Sequence, residues 1–325
     1  MKILVRLPNW LGDMVMAVGF IKQLPEYFPG AEVSVIAKKG IHELLSFFPP
    51  LKHQFIFDKK EYKGMKGLSQ FGKEVLKTDR FDLFFSLPDS FSSALMGYAT
   101  RSGKRVGYKK ELRQFLLTHA YSKPHGLHRV EEYIKLLEYY TGKPAGAIDV
   151  SLSHNWQKKD YVVVNINSEA SSRRLTATKA KELLDQLRET IKDPIVLVGA
   201  PKEKPFVDEV IGSLKNKEGI SNLAGTTSLV QLSAVLASAR MVLTTDSGPA
   251  HLSNALGTYT IVLFGAGNEQ NTAPYQKDLC QVVRLGQLSC EPCEQNKCVR
   301  YGTPQCLEQL QTPMIIQKAK QFLLQ

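Results

Sequence analysis

Two aspartates in the sequence each follow an apolar run where the chain could turn towards a ligand. Asp13 lies in RLPNWLGDMVMA, after the strand-like run ILVRL. Asp246 ends the run MVLTTD and is followed by SGPAH. Asp13 either starts the next helix, where the macrodipole favours a carboxylate, or takes part in chemistry. Its position alone favours the helix start.

The turn after Asp246 is suited to an anion. Ser247 or Gly248 would cap a helix, and Pro249 fits its first position because the missing N–H costs nothing there. A helix N-terminus at a sheet's carboxyl edge can bind a diphosphate. His251, on the first turn, is either a packed histidine or a ligand contact.

Two further junctions carry charged residues. Arg173 and Arg174 follow the run NINSEASS, and Glu203 follows LVGAPK. Arginine can bind phosphate oxygens in a bidentate manner, although a solvated charge pair is the alternative. A carboxylate near Glu203 could bind ribose hydroxyls, as acidic residues do in nucleotide-binding Rossmann folds.

Strands must position these residues. In the first half we predict strands at 3–7, 33–39, 53–58, 82–87 and in KRVGYK, with helices between them. The runs lie too far apart for hairpins, which is typical of a parallel sheet with crossover helices.

The second half repeats the scheme with strands at 161–167, 194–200, 241–246 and 260–266, and a weaker one near Ser221–Ala224. Intervening helices are predicted at about 178–191, 203–214, 228–239 and 248–256.

The polar stretch Ser151–Asp160 is the best linker. We therefore predict two α/β domains, 1–155 and 156–325, each a Rossmann-like doubly wound sheet facing a central cleft. The closing QTPMIIQKAKQFLLQ is predicted to form an amphipathic helix at the end of the second domain. Ligands of such sheets bind outside the carboxyl ends of the strands.

Composition excludes several classes of protein. No run reaches the roughly 18 apolar residues of a membrane span, and polar residues interrupt any signal peptide, so we expect a cytoplasmic protein. The net charge of +11 suggests an acidic partner, but no RNA-binding, zinc-finger or zipper pattern favours nucleic acid. The absence of GxGxxG after the first strand and of GxxxxGK[ST] disfavours dehydrogenases and P-loop kinases.

Several segments together resemble glycosyltransferase family 9, the bacterial lipopolysaccharide heptosyltransferases. RLPNWLGDMVMA is similar to the amino-terminal signature of the heptosyltransferase II group, and LPDSFSSAL and KRVGY to nearby family segments. The run from NLAGTTSLVQL to TTDSGPAHLSNALGTYTIVLFG matches the nucleotide-sugar half. The resemblance implies a GT-B fold and an inverting transferase that needs no metal or other cofactor.

The resemblance also implies residue roles. Asp13 would be the general base that takes the proton of the acceptor hydroxyl. The donor would be bound by Ser168, Arg173, Arg174, Glu203, Asp246, Ser247, Gly248 and His251. The acceptor side would include Asn9, Gly12, Ser90, Arg101, Lys104 and Arg105.

The implied donor is ADP-L-glycero-D-manno-heptose, and the implied acceptor is the Kdo- or heptose-bearing lipid A core at the inner face of the cytoplasmic membrane. Lys104, with Arg101, Arg105, Lys109, Lys110 and Arg113, would steer the enzyme to phosphate-rich lipid.

The donor side departs from the family pattern. NINSEASSRRLT stands where the group has a PGAEFGPAKRWP-like segment, so Leu175 replaces the usual Trp. FGAGNEQNTAPY replaces the common FGPT-type sequence. Two alternative functions therefore remain: a family 9 transferase that uses another nucleotide sugar, and a non-catalytic GT-B protein of glycan assembly.

Four cysteines cluster near the C-terminus as C-x₂-C-x₄-C-x₇-C, namely Cys290, Cys293, Cys298 and Cys306. Reduced structural thiols are the leading interpretation, and a metal site is the alternative.

Overall fold

The structure, a computed structural model, describes residues 1–324. The chain divides into two compact units, 1–153 and from His154 onward. This division falls two residues before the boundary predicted at 155.

The first unit is built from strands that alternate with helices. Its strands are β1 (Lys2–Arg6), β2 (Glu32–Lys38), β3 (Gln54–Phe57), β4 (Leu83–Ser86), β5 (Lys104–Tyr108) and β6 (His119–Tyr121). Its α-helices are α1 (Leu11–Met16), α2 (Val18–Tyr27), α3 (Gly64–Thr78), α4 (Phe91–Ala99) and α5 (Arg129–Thr141). The segments His42–Phe47 and Glu111–Leu116 are 3₁₀-helical.

All neighbouring strands of this unit pair in parallel, in the order β3-β2-β1-β4-β5-β6. The strand order reverses between β1 and β4, which makes their carboxyl ends the topological switch point of the sheet. Buried aromatic residues from the strands and α3 fill one face, among them Phe57, Phe71 and Phe84.

The second unit has the same construction. Its strands are β7 (Val162–Asn165), β8 (Ile195–Leu197), β9 (Ile220–Asn222), β10 (Met241–Thr245), β11 (Tyr259–Phe264) and β12 (Cys280–Arg284). Its α-helices are α6 (Ala177–Thr190), α7 (Lys204–Ser213), α8 (Leu229–Ser238), α9 (Gly248–Ala255), α10 (Glu269–Thr272), α11 (Gln305–Glu308) and α12 (Thr312–Leu323). Short 3₁₀ turns lie at Ser171–Arg173, Pro201–Glu203 and Lys277–Leu279.

This second sheet is also fully parallel, in the order β12-β11-β10-β7-β8-β9, and its switch point lies between β7 and β10. The predicted closing helix is α12, whose residues Ile315 and Ala319 are buried in the unit's core. Tyr259 of β11 stacks on Phe322 of α12, with ring centroids 3.9 Å apart. The predicted fold class of two doubly wound α/β domains is confirmed.

Two strands and three α-helices were not predicted from the sequence, namely β6, β12, α5 and the four-residue helices α10 and α11. β6 and β12 are edge strands with no fully apolar run, and β6 has only three residues, too few to show a periodic pattern. The helix α5 had a readable signal, because Val130, Ile134 and Leu137 recur at helical spacing. Pro25 lies inside α2, which ends two residues later.

Candidate functional site

Asp13 lies just beyond the carboxyl end of β1, at the switch point of the first sheet. It is the third residue of α1, and Trp10 precedes that helix in an extended conformation. The Asp13 side chain is half-buried. A carboxylate in the first turn is favoured by the helix macrodipole, so the helix-start interpretation of Asp13 holds structurally. It leaves the carboxylate at the edge where ligands of this fold bind.

The buried Arg6 explains why a charged residue ends β1. Arg6 is 3% exposed, and its guanidinium donates to the carbonyl oxygens of Leu7 and Ile36, and to Oδ1 of Asn9. Burial lowers the pKa of Arg6 to about 10, so the side chain stays charged at neutral pH. Arg6 therefore fixes the turn that leads to Asp13, and it holds the Asn9 side chain that was predicted to contact the acceptor.

Ionisable side chains from the start of α5 and the loop before it lie close to Asp13. Burial raises the pKa of the Asp13 carboxyl group, while the charges of Arg129 and Lys123 and a hydrogen bond from Tyr133 oppose that rise. Glu132 is 5% exposed and bridges the two cations, with Oε2 3.0 Å from Nε of Arg129 and 3.2 Å from Nζ of Lys123. Arg129, Glu132 and Tyr133 are spaced i, i+3 and i+4, so they share one face of the helix.

The turn after β4 completes this edge of the first unit. Asp89 accepts from Nζ of Lys123 at 3.1 Å and lies 4.0 Å from Nη1 of Arg113. Ser90, predicted on the acceptor side, caps α4 by accepting from the backbone N of Ser93 at 3.3 Å. The structure thus brings Ser90 to the same switch point as Asp13, although its hydroxyl already serves the helix.

Three of the residues predicted to bind acceptor lie elsewhere. Arg101 precedes β5, and Lys104 and Arg105 are its first two residues. All three therefore lie at the amino edge of the sheet. β5 is five residues long, so about 13–16 Å separate this edge from the carboxyl edge. Nη1 and Nε of Arg105 also donate to the carbonyls of Ser102 and Leu116. The structure does not bring these three residues to Asp13.

Arg113 requires a further correction. It was expected on a lipid-steering surface, but it is 0% exposed. Its guanidinium donates to the Tyr108 carbonyl and to Oγ of Ser86, both at 2.7 Å. The buried Arg113 therefore stabilises the turn after β4. A cluster of basic residues in the sequence does not reveal this role.

The second unit presents a comparable site at its own switch point, where β7 and β10 end. Asp246, directly after β10, is 3% exposed, and burial raises its pKa to about 6. Nη1 of Arg173 lies 3.3 Å from Oδ2 of Asp246. Ser168, which follows β7, donates from Oγ to the Asp246 carbonyl at 3.4 Å.

Space around the Asp246 carboxylate is tightly limited. A Cβ atom placed on Gly267 would lie 2.1 Å from Oδ2 of Asp246, so only glycine fits beside it. The ion pair with Arg173 lacks hydrogen-bond geometry, and no other residue within 1–324 donates a hydrogen bond to this oxygen. A buried carboxylate oxygen with unused acceptor capacity can accept from a ligand hydroxyl.

The predicted anion turn forms as expected from its residues. Ser247 caps α9 through its backbone position, and Gly248 and Pro249 open the helix. The Ser247 side chain instead accepts from Nδ2 of Asn165 at 3.0 Å, which ties α9 to β7. His251 is buried in the first turns of α9.

The remaining predicted donor residues lie in loops of the same unit. Oε2 of Glu203 accepts from the backbone N of Ala200 at 2.7 Å, so Glu203 has a local capping role after β8. The guanidinium of Arg174 lies 5.4 Å from the Phe206 ring, which it covers as a cation–π contact. Adjacent Arg173 and Arg174 thus point to different partners.

Comparison with known proteins decides the family. The model of glycosyltransferase family 9 (heptosyltransferase) matches residues 70–302 of the chain. The chain belongs to glycosyltransferase family 9. It is therefore a glycosyltransferase, and the resemblance seen in the sequence is confirmed.

Similar family members match the chain along most of its length. The lipooligosaccharide heptosyltransferase 2 of Campylobacter jejuni is 27% identical, over 99% of this chain and 98% of the relative. The lipopolysaccharide heptosyltransferase 2 of Escherichia coli is 28% identical over 88% of each chain. The solved structure of E. coli ADP-heptose LPS heptosyltransferase II aligns with a TM-score of 0.85 at 25% identity, covering 100% of this chain and 99% of that one. The transferase thus has a GT-B-like fold.

The cysteine-bearing loop of the transferase packs on the turn that carries Arg173. Ser172 hydrogen-bonds to carbonyl oxygens of Gln295 and Asn296. Four free thiols line one small void in this loop: Cys290, Cys293, Cys298 and Cys306. Within residues 1–324 no three His, Cys, Asp or Glu side chains are arranged to hold a metal ion.

Several residues at the two switch points were missed by sequence reasoning. Each lies near a predicted residue or pairs with one of these neighbours. In the first unit they are Asp89, Lys123, Arg129, Glu132 and Tyr133, and in the second they are Asn165 and Gly267. The sequence of α5 did contain a sign of functional residues, because charged side chains stand within a helix whose other positions are largely apolar. Nothing in the sequence marks Gly267 as a neighbour of Asp246.

Proposed function

We propose that this transferase moves heptose from ADP-L-glycero-D-manno-heptose to the inner core of lipopolysaccharide, with inversion and without a metal ion. The observation that carries the proposal is Asp13, a half-buried carboxylate with a raised pKa at the switch point of the first sheet. The names of the similar heptosyltransferases support the donor and acceptor classes.

In the proposed reaction Asp13 is the general base. The acceptor hydroxyl attacks the anomeric carbon from the side opposite ADP, and its proton passes to the Asp13 carboxylate. A raised pKa makes a carboxylate a stronger base, while the charges of Lys123 and Arg129 keep it ionised. Both effects are needed, because a protonated Asp13 cannot accept the proton.

The second unit is proposed to bind the donor. As the bond to ADP breaks, negative charge grows on the diphosphate, and the Arg173 guanidinium and the N–H groups that open α9 would stabilise it. In this role they supply the positive charge that a metal ion supplies in other transferases. Asp246 would accept hydrogen bonds from hydroxyl groups of the donor, and Glu203 from those of the ribose.

A lipid-linked acceptor implies work at a membrane surface. No helix of the described chain is long and apolar enough to cross a bilayer. We propose that the enzyme acts at the inner face of the cytoplasmic membrane as a peripheral protein, and that its +11 charge favours that surface.

Product analysis tests the proposal. The purified protein is incubated with a heptose- or Kdo-terminated lipid A core and ADP-heptose, with and without EDTA, and the product is weighed by mass spectrometry. We expect a mass gain of one heptose in both conditions. Transfer only from a UDP sugar, or loss of transfer with EDTA, would contradict the donor or the metal-independent mechanism respectively.

Two departures from the family sequence favour a second candidate, a family 9 transferase with another nucleotide sugar. Leu175 stands where the group has Trp, and it is 2% exposed. The segment AGNEQNT after β11, which includes α10, also departs from the family sequence and begins at the glycine-rich turn beside Asp246. Calorimetry with a panel of nucleotide sugars separates the two candidates, since only one nucleotide should bind tightly.

A further inference from the structure

The segment between β5 and β6 carries two large apolar side chains in solvent. Leu112 is 68% exposed and Phe115 is 76% exposed. Both lie in the 3₁₀ helix Glu111–Leu116. Residues i and i+3 eclipse in a 3₁₀ helix, so Leu112 and Phe115 form one outward ridge.

The opposite side of this short helix is anchored in the protein. Arg113 is fully buried beneath it, and Leu116 accepts from Nε of Arg105 through its carbonyl. The helix packs along α4, which adds two exposed aromatic residues, Phe91 at 38% and Tyr98 at 55%. The ridge is therefore held rigidly, and its exposure does not come from a loose loop.

The surroundings of the ridge are strongly basic. Residues 91–118 contain six Lys or Arg and one acidic residue, Glu111, a net charge of +5 out of the chain's +11. Arg113 is buried, and Lys104 contacts the Tyr140 ring on the α5 side of the sheet. Four of the six basic side chains therefore remain beside the ridge: Arg101, Arg105, Lys109 and Lys110. The Arg105 guanidinium lies 5.5 Å from the Tyr98 ring, which joins the charged and aromatic parts of the surface.

We propose that this surface, the α4 and 3₁₀ face with Leu112, Phe115, Phe91 and Tyr98, docks the enzyme on a bilayer that contains anionic phospholipids. Exposed Leu and aromatic residues flanked by Lys and Arg fit the interfacial region, where apolar groups enter the acyl boundary and cations contact the headgroups. A second copy of this chain is a poor occupant, because two faces that both carry an excess of positive charge repel each other.

This inference rests on the proposed function, because an enzyme with a lipid-linked acceptor must reach the membrane surface. It also gives Arg101 and Arg105 a role at the position where the structure places them. They would bind lipid headgroups, away from Asp13.

Vesicle co-sedimentation tests the inference. The wild-type protein is compared with Leu112→Ser/Phe115→Ser and with a matched control, Met65→Ser/Val299→Ser, whose side chains are 64% and 86% exposed elsewhere. Vesicles contain phosphatidylcholine alone or with phosphatidylglycerol. We expect wild type to bind the anionic vesicles, the ridge variant to bind at least about tenfold less, and the control to bind like wild type.

A charge variant tests the basic half of the surface. Lys109→Glu/Lys110→Glu should lose binding to anionic vesicles by roughly fivefold or more for each lysine, and added salt should weaken wild-type binding in the same direction. Equal binding by wild type and the ridge variant, or no wild-type binding to anionic vesicles, would overturn the inference. So would light scattering that shows a wild-type dimer and a monomeric ridge variant.

Activity measurements separate this inference from the proposed function. With a water-soluble acceptor fragment, the ridge variant should turn over like wild type, because none of its changes touches the candidate site. With acceptor embedded in anionic vesicles, its rate should fall. If wild type transfers no sugar to either acceptor while the vesicle results hold, the proposed function fails and the docking surface stands.

Discussion

Nη1 of Arg173 lies 3.3 Å from Oδ2 of Asp246, although 73 positions separate the two residues in the chain. Arg173 is the last residue of the 3₁₀ turn that follows β7, and Asp246 follows β10. Because β7 and β10 are neighbouring strands, the two side chains meet. Arg174, the next residue, turns to Phe206 instead. One arginine of the sequence pair therefore faces the candidate donor site, and the other packs on a neighbouring helix.

This difference predicts unequal effects of two neighbouring substitutions. Arg173→Ala should weaken ADP binding by about 10- to 150-fold, because a charged hydrogen bond to phosphate contributes roughly 1.5–3 kcal/mol. Arg174→Ala should change the dissociation constant by less than about threefold, since its guanidinium contacts the half-buried Phe206 ring and not Asp246. Isothermal titration calorimetry with ADP measures both. Equal losses in the two variants would show that the pair acts as one site.

Ionisation of the Asp246 carboxyl group should lower the free energy of unfolding. Its pKa is raised to about 6, above its value in the unfolded chain, so the folded state holds the proton more tightly and loses stability as pH rises from about 4 to 6. Asp246→Asn should therefore raise the free energy of unfolding at pH 7.5, by at most about 3 kcal/mol, while it lowers activity. Loss of the Arg173 pair offsets part of this gain.

Urea unfolding at pH 5 and pH 7.5 checks this prediction. The stabilisation by Asp246→Asn should be larger at pH 7.5. The exposed Asp208, held by Lys204, serves as the control, and Asp208→Asn should produce no such gain at either pH. A variant that is less stable than wild type at pH 7.5 would contradict the burial argument.

Gly267 should tolerate no side chain. Gly267→Ala places Cβ 2.1 Å from Oδ2 of Asp246, so either the carboxylate or the backbone must move. We expect a loss of about 1–3 kcal/mol, seen as a lower melting temperature, together with weaker donor binding. Gly212→Ala in α7 meets no atom within 4 Å and should be neutral or slightly stabilising. Unchanged melting of the first variant would refute the close contact.

Asp13→Asn isolates the proposed general base. The amide keeps the shape of the side chain but accepts no proton, so kcat should fall by about 10²- to 10⁴-fold. ADP binding should be unchanged, because the proposed donor residues all belong to the second unit. Exposed Glu61→Gln in the same unit is the control and should retain full kcat. Full activity of Asp13→Asn would favour a role in helix formation alone.

Arg129 should set the acid limit of activity. Its charge lowers the pKa of Asp13, so Arg129→Gln should raise that pKa further and leave less ionised base at a given pH. The acid limb of the kcat/KM profile should then move to higher pH. Exposed Arg80→Gln should leave the profile in place. A limb that stays fixed in Arg129→Gln would show that another group controls it.

Much of the fold was readable because both halves repeat a strand and helix alternation. Strands such as β7, β10 and β11 are continuous β-branched or apolar runs, which only a sheet buried on both faces needs. The edge strand β6 was not predicted because it has only three residues, and β12 because it is half-exposed and has no fully apolar run. The signature around Asp13 and the DSGPAH turn indicate the family, because each is a short motif of adjacent residues.

By itself the sequence determined the fold class, the family and the two aspartate turns, because local periodicity and short motifs encode them. Tertiary structure alone decided which charges meet. Strand order placed Arg173 beside Asp246, brought α5 against Asp13, buried Arg113, and sent Arg101, Lys104 and Arg105 to the opposite edge of the sheet. The physical reason is that a parallel sheet joins residues distant in the chain at one edge, and only strand order says which ones.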